Sequence, residues 1–229
     1  MVSVSVSPKP AAITIVMALV LFFIFIYESK GSDEIISPLF VADQNNNKVN
    51  LSVYYESLCQ PCATFIIKNL YEIFNTNLIS IVNLQLVPYA NSHVNVTNNS
   101  ISCQNGQDEC ILNSLESCAM NLWSDVGKYY GLIYCFEFLA IEGRSNKWQD
   151  CFDQLGLPLA SILNCSRGNG TELAKKCIDE TTKLNPPHSF LPWVVINNQP
   201  IAQDYANFTY FVCKAYKGIA VPDACNPIR

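Results

Sequence analysis

The sequence is short of positive charge, of histidine and of glycine. Lysine and arginine total 14 against 19 acidic residues in 229, and no basic run exists. Without a basic patch a chain has nothing to neutralise phosphates, which excludes nucleic acid as a partner. Only 9 glycines and 12 prolines, with no internal repeat, exclude collagen-like and low-complexity architectures. The two histidines, His93 and His188, stand alone, and there is a single CxxC. Zinc needs a second ligand pair at matched spacing, so no metal site is expected. Disorder is excluded by a composition that is 50% apolar, enough to offset the entropy of ordering.

Cysteine, by contrast, is abundant. Eleven in one chain points to an oxidising compartment, where disulfides persist. The odd count leaves at least one thiol without an intramolecular partner. Ala11 to Tyr27 is an apolar run interrupted only by Thr14, with Lys9 before it and Glu28-Ser29-Lys30-Gly31 after it. This is the pattern of a signal peptide over residues 1–31, with Ser29 and Gly31 as the small residues before the cut. The alternative is an uncleaved anchor, for which the run is short. Six Asn-x-Ser/Thr sequons follow and agree with a lumenal glycoprotein. Asn95, Asn98, Asn164, Asn169 and Asn207 are the glycosylation candidates; Asn50 lies in a predicted strand. The secretory route is the expected destination.

The mature part, 32–229, reads as one domain of mixed α/β class. Val49, Leu51, Val53 and Tyr55 alternate with Asn50, Ser52 and Tyr54, which predicts a strand over 48–55. A helix over about 60–76 follows, with Cys62, Ile66, Leu70 and Phe74 on one side. Val82, Leu84 and Leu86 give a second strand that Pro88 ends. Trp193 to Ile196, then Asn197-Asn198, then Gln199 to Ile201 read as a hairpin. A last helix is predicted over about 204–217, with Asp204 as candidate N-cap. This order of elements is that of a thioredoxin-like fold. The gap of about 89–192 far exceeds one crossover helix, so it is read as a helical insertion rich in cysteine. Helices are expected there at about 109–131, 133–142, 147–156 and 171–183.

Cys59-Gln60-Pro61-Cys62, between a strand and a helix start, carries the chemistry. Free N–H groups and the positive end of the helix dipole stabilise a thiolate at Cys59, the nucleophile. Cys62, one turn deeper, resolves the mixed disulfide. Alternatives for the same residues are an inert disulfide or half of a zinc site. No Lys, Arg or His lies between Lys48 and Lys68 to assist the thiolate. Glu56, three residues earlier, would oppose it, so Glu56 is expected to turn away or to be protonated. Pro192, just before the third strand, is the candidate cis-proline facing the CxxC. A cis bond there would free the Leu191 backbone to pair with extended substrate. Of the other nine cysteines, four disulfides and one free thiol are expected, with Cys213 and Cys225 paired.

Cys103, Gln104, Gly106, Glu109, Cys110, Asn113 and Cys118 read alone as a loop entering a helix through Gly106, with structural cysteines. In that spacing, however, they match the signature C-Q-H-G-x-x-E-C-x-x-N-x-x-x-x-C. The chain thereby resembles the gamma-interferon-inducible lysosomal thiol reductase family, with Asn105 in place of the signature histidine. Leu51 to Cys59, Leu86 to Tyr89 and Pro186 to Val194 resemble further family segments. The resemblance implies reduction of disulfides in protein or peptide substrates, often in acid, with a small thiol or dithiol as reductant and no bound cofactor. Gln60-Pro61 resembles the Gly-Pro of thioredoxin, a reductant, more than the Pro-His of oxidants. An oxidase or isomerase on the same fold, or a non-catalytic disulfide-rich glycoprotein, are the alternative functions.

Overall fold

The computed structural model describes residues 48–228, so the expected leader over 1–31 lies outside the described residues. Strand β1 (Val49–Tyr54) pairs in parallel with β2 (Val82–Val87), Leu51 opposite Leu84. It pairs antiparallel with β5 (Trp193–Ile196), which turns back through β6 (Gln199–Pro200). The strand order β2-β1-β5-β6 puts β1 in the interior of the sheet. Both sheet faces are covered. Val49, Leu51 and Val53 face the main core, while Tyr54, Val87, Trp193 and Val195 form a smaller cluster with Phe190 and Leu191 on the other side. Asn197 and Asn198 take φ of 46° and 64°, the left-handed pair that a two-residue hairpin demands.

From β1 the chain enters one helical run over 60–75. It comprises α1 (Gln60–Thr64), a π segment (Phe65–Leu70) and α2 (Glu72–Asn75). The periodicity predicted one uniform helix. Inside the π segment the Tyr130 hydroxyl donates to the Ile66 carbonyl at 2.6 Å, an outside donor of the kind that loosens a helical ladder.

Between β2 and β5 lie a short hairpin, β3 (His93–Val94) with β4 (Ile101–Ser102), and four helices. These are α3 (Gln107–Leu122), α4 (Val126–Ile141), α5 (Gln149–Leu155) and α6 (Leu159–Thr182). The helix predicted over 109–131 is therefore two, and the separate one at 133–142 is the second half of α4. Asp125 causes the break: its side chain caps α4 by accepting from Lys128 N. Helix α6 starts well before the predicted 171, running through Gly168 and Gly170. A Cβ at Gly170 would sit 2.7 Å from Ser114 Oγ; the missing side chain allows α6 to lie close against α3. Asp204 is not a cap. It falls in a 3₁₀ segment (Ala202–Asn207), and α7 (Phe208–Ala215) begins after it.

Four disulfides fasten this framework. Cys118–Cys165 joins α3 to α6, Cys135–Cys151 joins α4 to α5, Cys103–Cys110 closes the loop into α3, and Cys213–Cys225 pins the tail to α7. Cys177 on α6 is free, and burial pushes its thiol up to about 11.

Candidate active site

Cys59 follows β1 after residues 55–58 and is the N-cap of α1, in extended conformation, with Cys62 one turn in. The two are joined, with Cα atoms 5.2 Å apart. Cys62 is fully buried and Cys59 half-buried, so Cys59 offers the accessible sulfur. Cys59 Sγ accepts from Cys62 N at 3.3 Å. A thiolate there would keep this bond and gain from it, since hydrogen bonds to a charged form favour that form. Pro61 occupies the first turn, where its missing N–H breaks no ladder.

The peptide bond Leu191–Pro192 is cis, as is Asn185–Pro186. Trp193 pairs with Tyr54. Pro192 and Leu191 therefore leave the sheet at the end where β1 delivers Cys59.

Behind the CxxC, α3 presents Glu109, Asn113 and Glu116 at positions i, i+4 and i+7, which one helical face must share. All three are buried, and all three hold the backbone or side chains of residues 55–58. Asn113 Oδ1 accepts from Ser57 N at 3.0 Å and from Ser57 Oγ, while its Nδ2 donates to Glu56. Glu109 Oε2 accepts from Leu58 N at 3.3 Å. Glu116 Oε2 accepts from the Tyr55 hydroxyl at 2.7 Å. Glu109 and Asn113 of the signature, with Glu116 beside them, thus fix the approach to Cys59 from outside the CxxC. Gly106, at the cap of α3 with φ of 91°, supplies the turn that starts this helix. Asn105 does part of what the signature histidine could do. Its backbone N and side-chain Nδ2 both donate to Glu109, at 2.8 and 2.6 Å.

Glu56 turns into this network rather than toward solvent. Its Oε1 accepts from Asn91 N at 2.7 Å and from Ser92 Oγ at 2.8 Å. Burial, with Glu109 nearby, pushes its carboxyl up to about 7 despite these donors. Asn91 also contacts His188 Nε2 at 2.8 Å and donates to Gln104, tying the loop before Pro192 to the signature loop. Burial lowers the His188 pKa. Two further carboxyls lie deeper. Burial raises Glu116 to about 8, and Glu137, on α4, is raised well above the ordinary carboxylate range by burial and by Glu116. Sequence periodicity did not flag this cluster. The available signal was a lone acid, Glu137, inside the apolar run from Gly131 to Ile141. Among the described residues no group of three His, Cys, Asp or Glu side chains could hold a metal ion.

Residues 50–155 match the family described as Gamma interferon inducible lysosomal thiol reductase (GILT). The gamma-interferon-responsive lysosomal thiol protein of Arabidopsis thaliana is 36% identical over 189 residues, spanning 79% of this chain and 77% of its own. The gamma-interferon-inducible lysosomal thiol reductase of Mus musculus is 32% identical over 185 residues, spanning 79% and 73%. Among solved structures, the thiol-disulfide oxidoreductase MdbA of Actinomyces oris superposes with a TM-score of 0.54 at 11% identity, over 76% of this chain and 85% of that one. BdbD of Bacillus subtilis gives 0.52 at 15%, over 76% and 90%. At such identities the likeness speaks for the fold, which is thioredoxin-like. With relatives above 30% identity across most of both chains, this chain belongs to the gamma-interferon-inducible lysosomal thiol reductase family.

Proposed function

We propose that this protein reduces disulfide bonds in protein and peptide substrates, with Cys59 as nucleophile and Cys62 as resolving thiol. The observation that carries the reading is the asymmetry of the CxxC: one sulfur accessible at a helix start, the other sealed beneath it. Cys59 thiolate attacks a substrate disulfide and forms a mixed disulfide; Cys62 then attacks Cys59 and releases the second substrate thiol. A small thiol or dithiol reductant returns the pair to the reduced state. The cis Leu191–Pro192 segment, at the same end of the sheet, offers Leu191 backbone groups to an extended substrate strand.

The protein works in the secretory route, secreted or within an acidic lysosomal or vacuolar lumen. An acidic site of action suits Glu56, whose carboxyl is neutral well below pH 7 and then places no charge near the thiolate. Asn95 and Asn98 are the foremost glycosylation sites. Each side-chain oxygen accepts from the backbone N two residues on, in an exposed loop. Asn164, Asn169 and Asn207 are exposed as well.

Insulin disulfide reduction by residues 32–229, at about pH 4.5 and pH 7 with a Cys59→Ser control, tests the reading. Turnover that is lost in the variant supports it. Inactivity of the unmodified chain with reductant present, or unchanged turnover in Cys59→Ser, contradicts it.

A further inference from the structure

The loop of residues 185–192 carries the Leu191 edge offered to an extended substrate, and it has few anchors. Asn185, Pro186, Pro187 and Ser189 are exposed. Phe190 packs edge-on against Trp193, with ring centroids 5.1 Å apart, and lies 6.1 Å from Tyr205, which holds the end next to β5. Among the described residues a single hydrogen bond ties the loop to the rest of the chain: His188 Nε2 to Asn91 Oδ1, at 2.8 Å. Asn91 in turn joins three segments. Its backbone N donates to Glu56 Oε1 at 2.7 Å, its Nδ2 donates to Gln104 Oε1 at 2.7 Å, and its Oδ1 meets His188. With Nδ2 directed at Gln104, Oδ1 can only accept, so His188 Nε2 carries the hydrogen. Glu56 leads directly to the nucleophile, since Cys59 N donates to the Glu56 carbonyl at 3.2 Å. The docking loop and the CxxC are thus fastened to one residue, the first through its side chain and the second through its main chain.

We propose that His188 is a positioning residue for extended polypeptide substrates, its bond to Asn91 holding the Leu191 docking edge in register with Cys59. This rests on the reductase reading above. A polypeptide disulfide reaches Cys59 with its backbone laid along the loop, so the offset between Leu191 and Cys59 decides whether the sulfurs meet. A small disulfide without peptide bonds has no strand to lay there and reaches Cys59 by access alone. His188 therefore separates two substrate classes without touching the reacting atoms. Once the bond is lost, the loop is held only by Phe190 at one end. Only the fraction of molecules with the edge in place then binds a polypeptide, which raises KM and leaves the thiol chemistry as it was. What the contact requires of residue 188 is an N–H near the end of the side chain, which a glutamine amide also supplies.

The test compares two substrates, a peptide disulfide and hydroxyethyl disulfide, which has no peptide backbone. His188→Ala should raise KM for the peptide disulfide roughly 10-fold, while reduction of hydroxyethyl disulfide and iodoacetamide alkylation of Cys59 stay within about twofold. His188→Gln should restore the peptide KM. Asn91→Ala keeps the main-chain bond to Glu56 and removes the acceptor, so it should reproduce the loss. Combined with His188→Ala it should add nothing, because the two share one interaction. If His188→Ala does not fold, Asn91→Ala with the same two substrates decides. Equal losses on both disulfides, as a merely structural role would give, overturn the proposal. So does an unchanged peptide KM, a failure of His188→Gln to restore it, or losses that add in the double variant. An unmodified chain that reduces only the small disulfide removes the docking edge. One that reduces neither removes the reductase reading itself.

Discussion

Cys59–Cys62 and Cys118–Cys165 are chemically the same bond in two different settings. Cys118 and Cys165 are both buried, tying α3 to α6 where Gly170 lets the helices close. Cys59 is half-exposed at a helix start, with an N–H aimed at its sulfur and a cluster of buried polar groups behind it. Reactivity therefore comes from access and from the helix-start donor beside the sulfur. The inert bridge lacks the first of these, and its effect falls on the unfolded chain instead.

That contrast can be broken by exchanging what each bridge does. The largest effect is expected at Cys59. Cys59→Ser should lower disulfide-reduction turnover at least about 1000-fold, because hydroxyl oxygen cannot replace thiolate in exchange. The melting temperature should move little, since the CxxC closes a loop of only a few residues. Cys118→Ala with Cys165→Ala should do the reverse. The chain loses a bridge of separation 47, worth about 4 kcal/mol by chain entropy. Denaturant unfolding should show that loss, while the Cys59 alkylation rate at low denaturant stays within about twofold.

A pH titration of stability sharpens the same contrast. Glu56 and Glu116 have folded-state values raised to about 7 and about 8, above those of an unfolded chain. Raised carboxyls bind more protons folded than unfolded, so stability is greatest below the unfolded value and falls as pH rises toward the folded one. Unfolding free energy should decline by on the order of a few kcal/mol between about pH 5 and pH 8. Glu56→Gln should flatten the decline and leave acidic turnover intact or raise it. A stability that rises over this range would show that the carboxyls are ionised and paired.

Smaller effects belong to the signature helix. Asn113→Ala strips the acceptor from Ser57 N and a donor from Glu56, leaving buried groups unpaired at about 2 kcal/mol. It should also shift the Cys59 alkylation midpoint, which a change remote from the site would not. Asn105→His, restoring the signature residue, should change turnover less than about threefold. An imidazole N–H can replace the Nδ2 donor to Glu109.

The parts of this account that depend on local chemistry were legible in the chain. Alternation around Leu51 and Leu84 marked two strands, the run Trp193 to Ile196 before Asn197-Asn198 marked the hairpin, and the Cys59 motif stood between a strand and a helix. Leu191-Pro192 was recognisable because its place before a strand has meaning in this fold. What escaped depends on contacts between distant segments. The helix expected from about 171 starts earlier and runs through Gly170, where Ser114 on α3 shows why a small residue fits. Asp125 fell inside an apolar periodicity that hid its capping role. Glu116 and Glu137 come from different helices, and their shared burial exists only after α3 and α4 pack.

The central claim is that Cys59 attacks and Cys62 resolves. Cys62→Ser, reduced and offered a peptide disulfide at about pH 5, tests it most directly through peptide mapping by mass spectrometry. The account predicts one stable adduct per chain, at Cys59, that a small dithiol releases. No adduct, or an adduct at Cys177 instead, would contradict it.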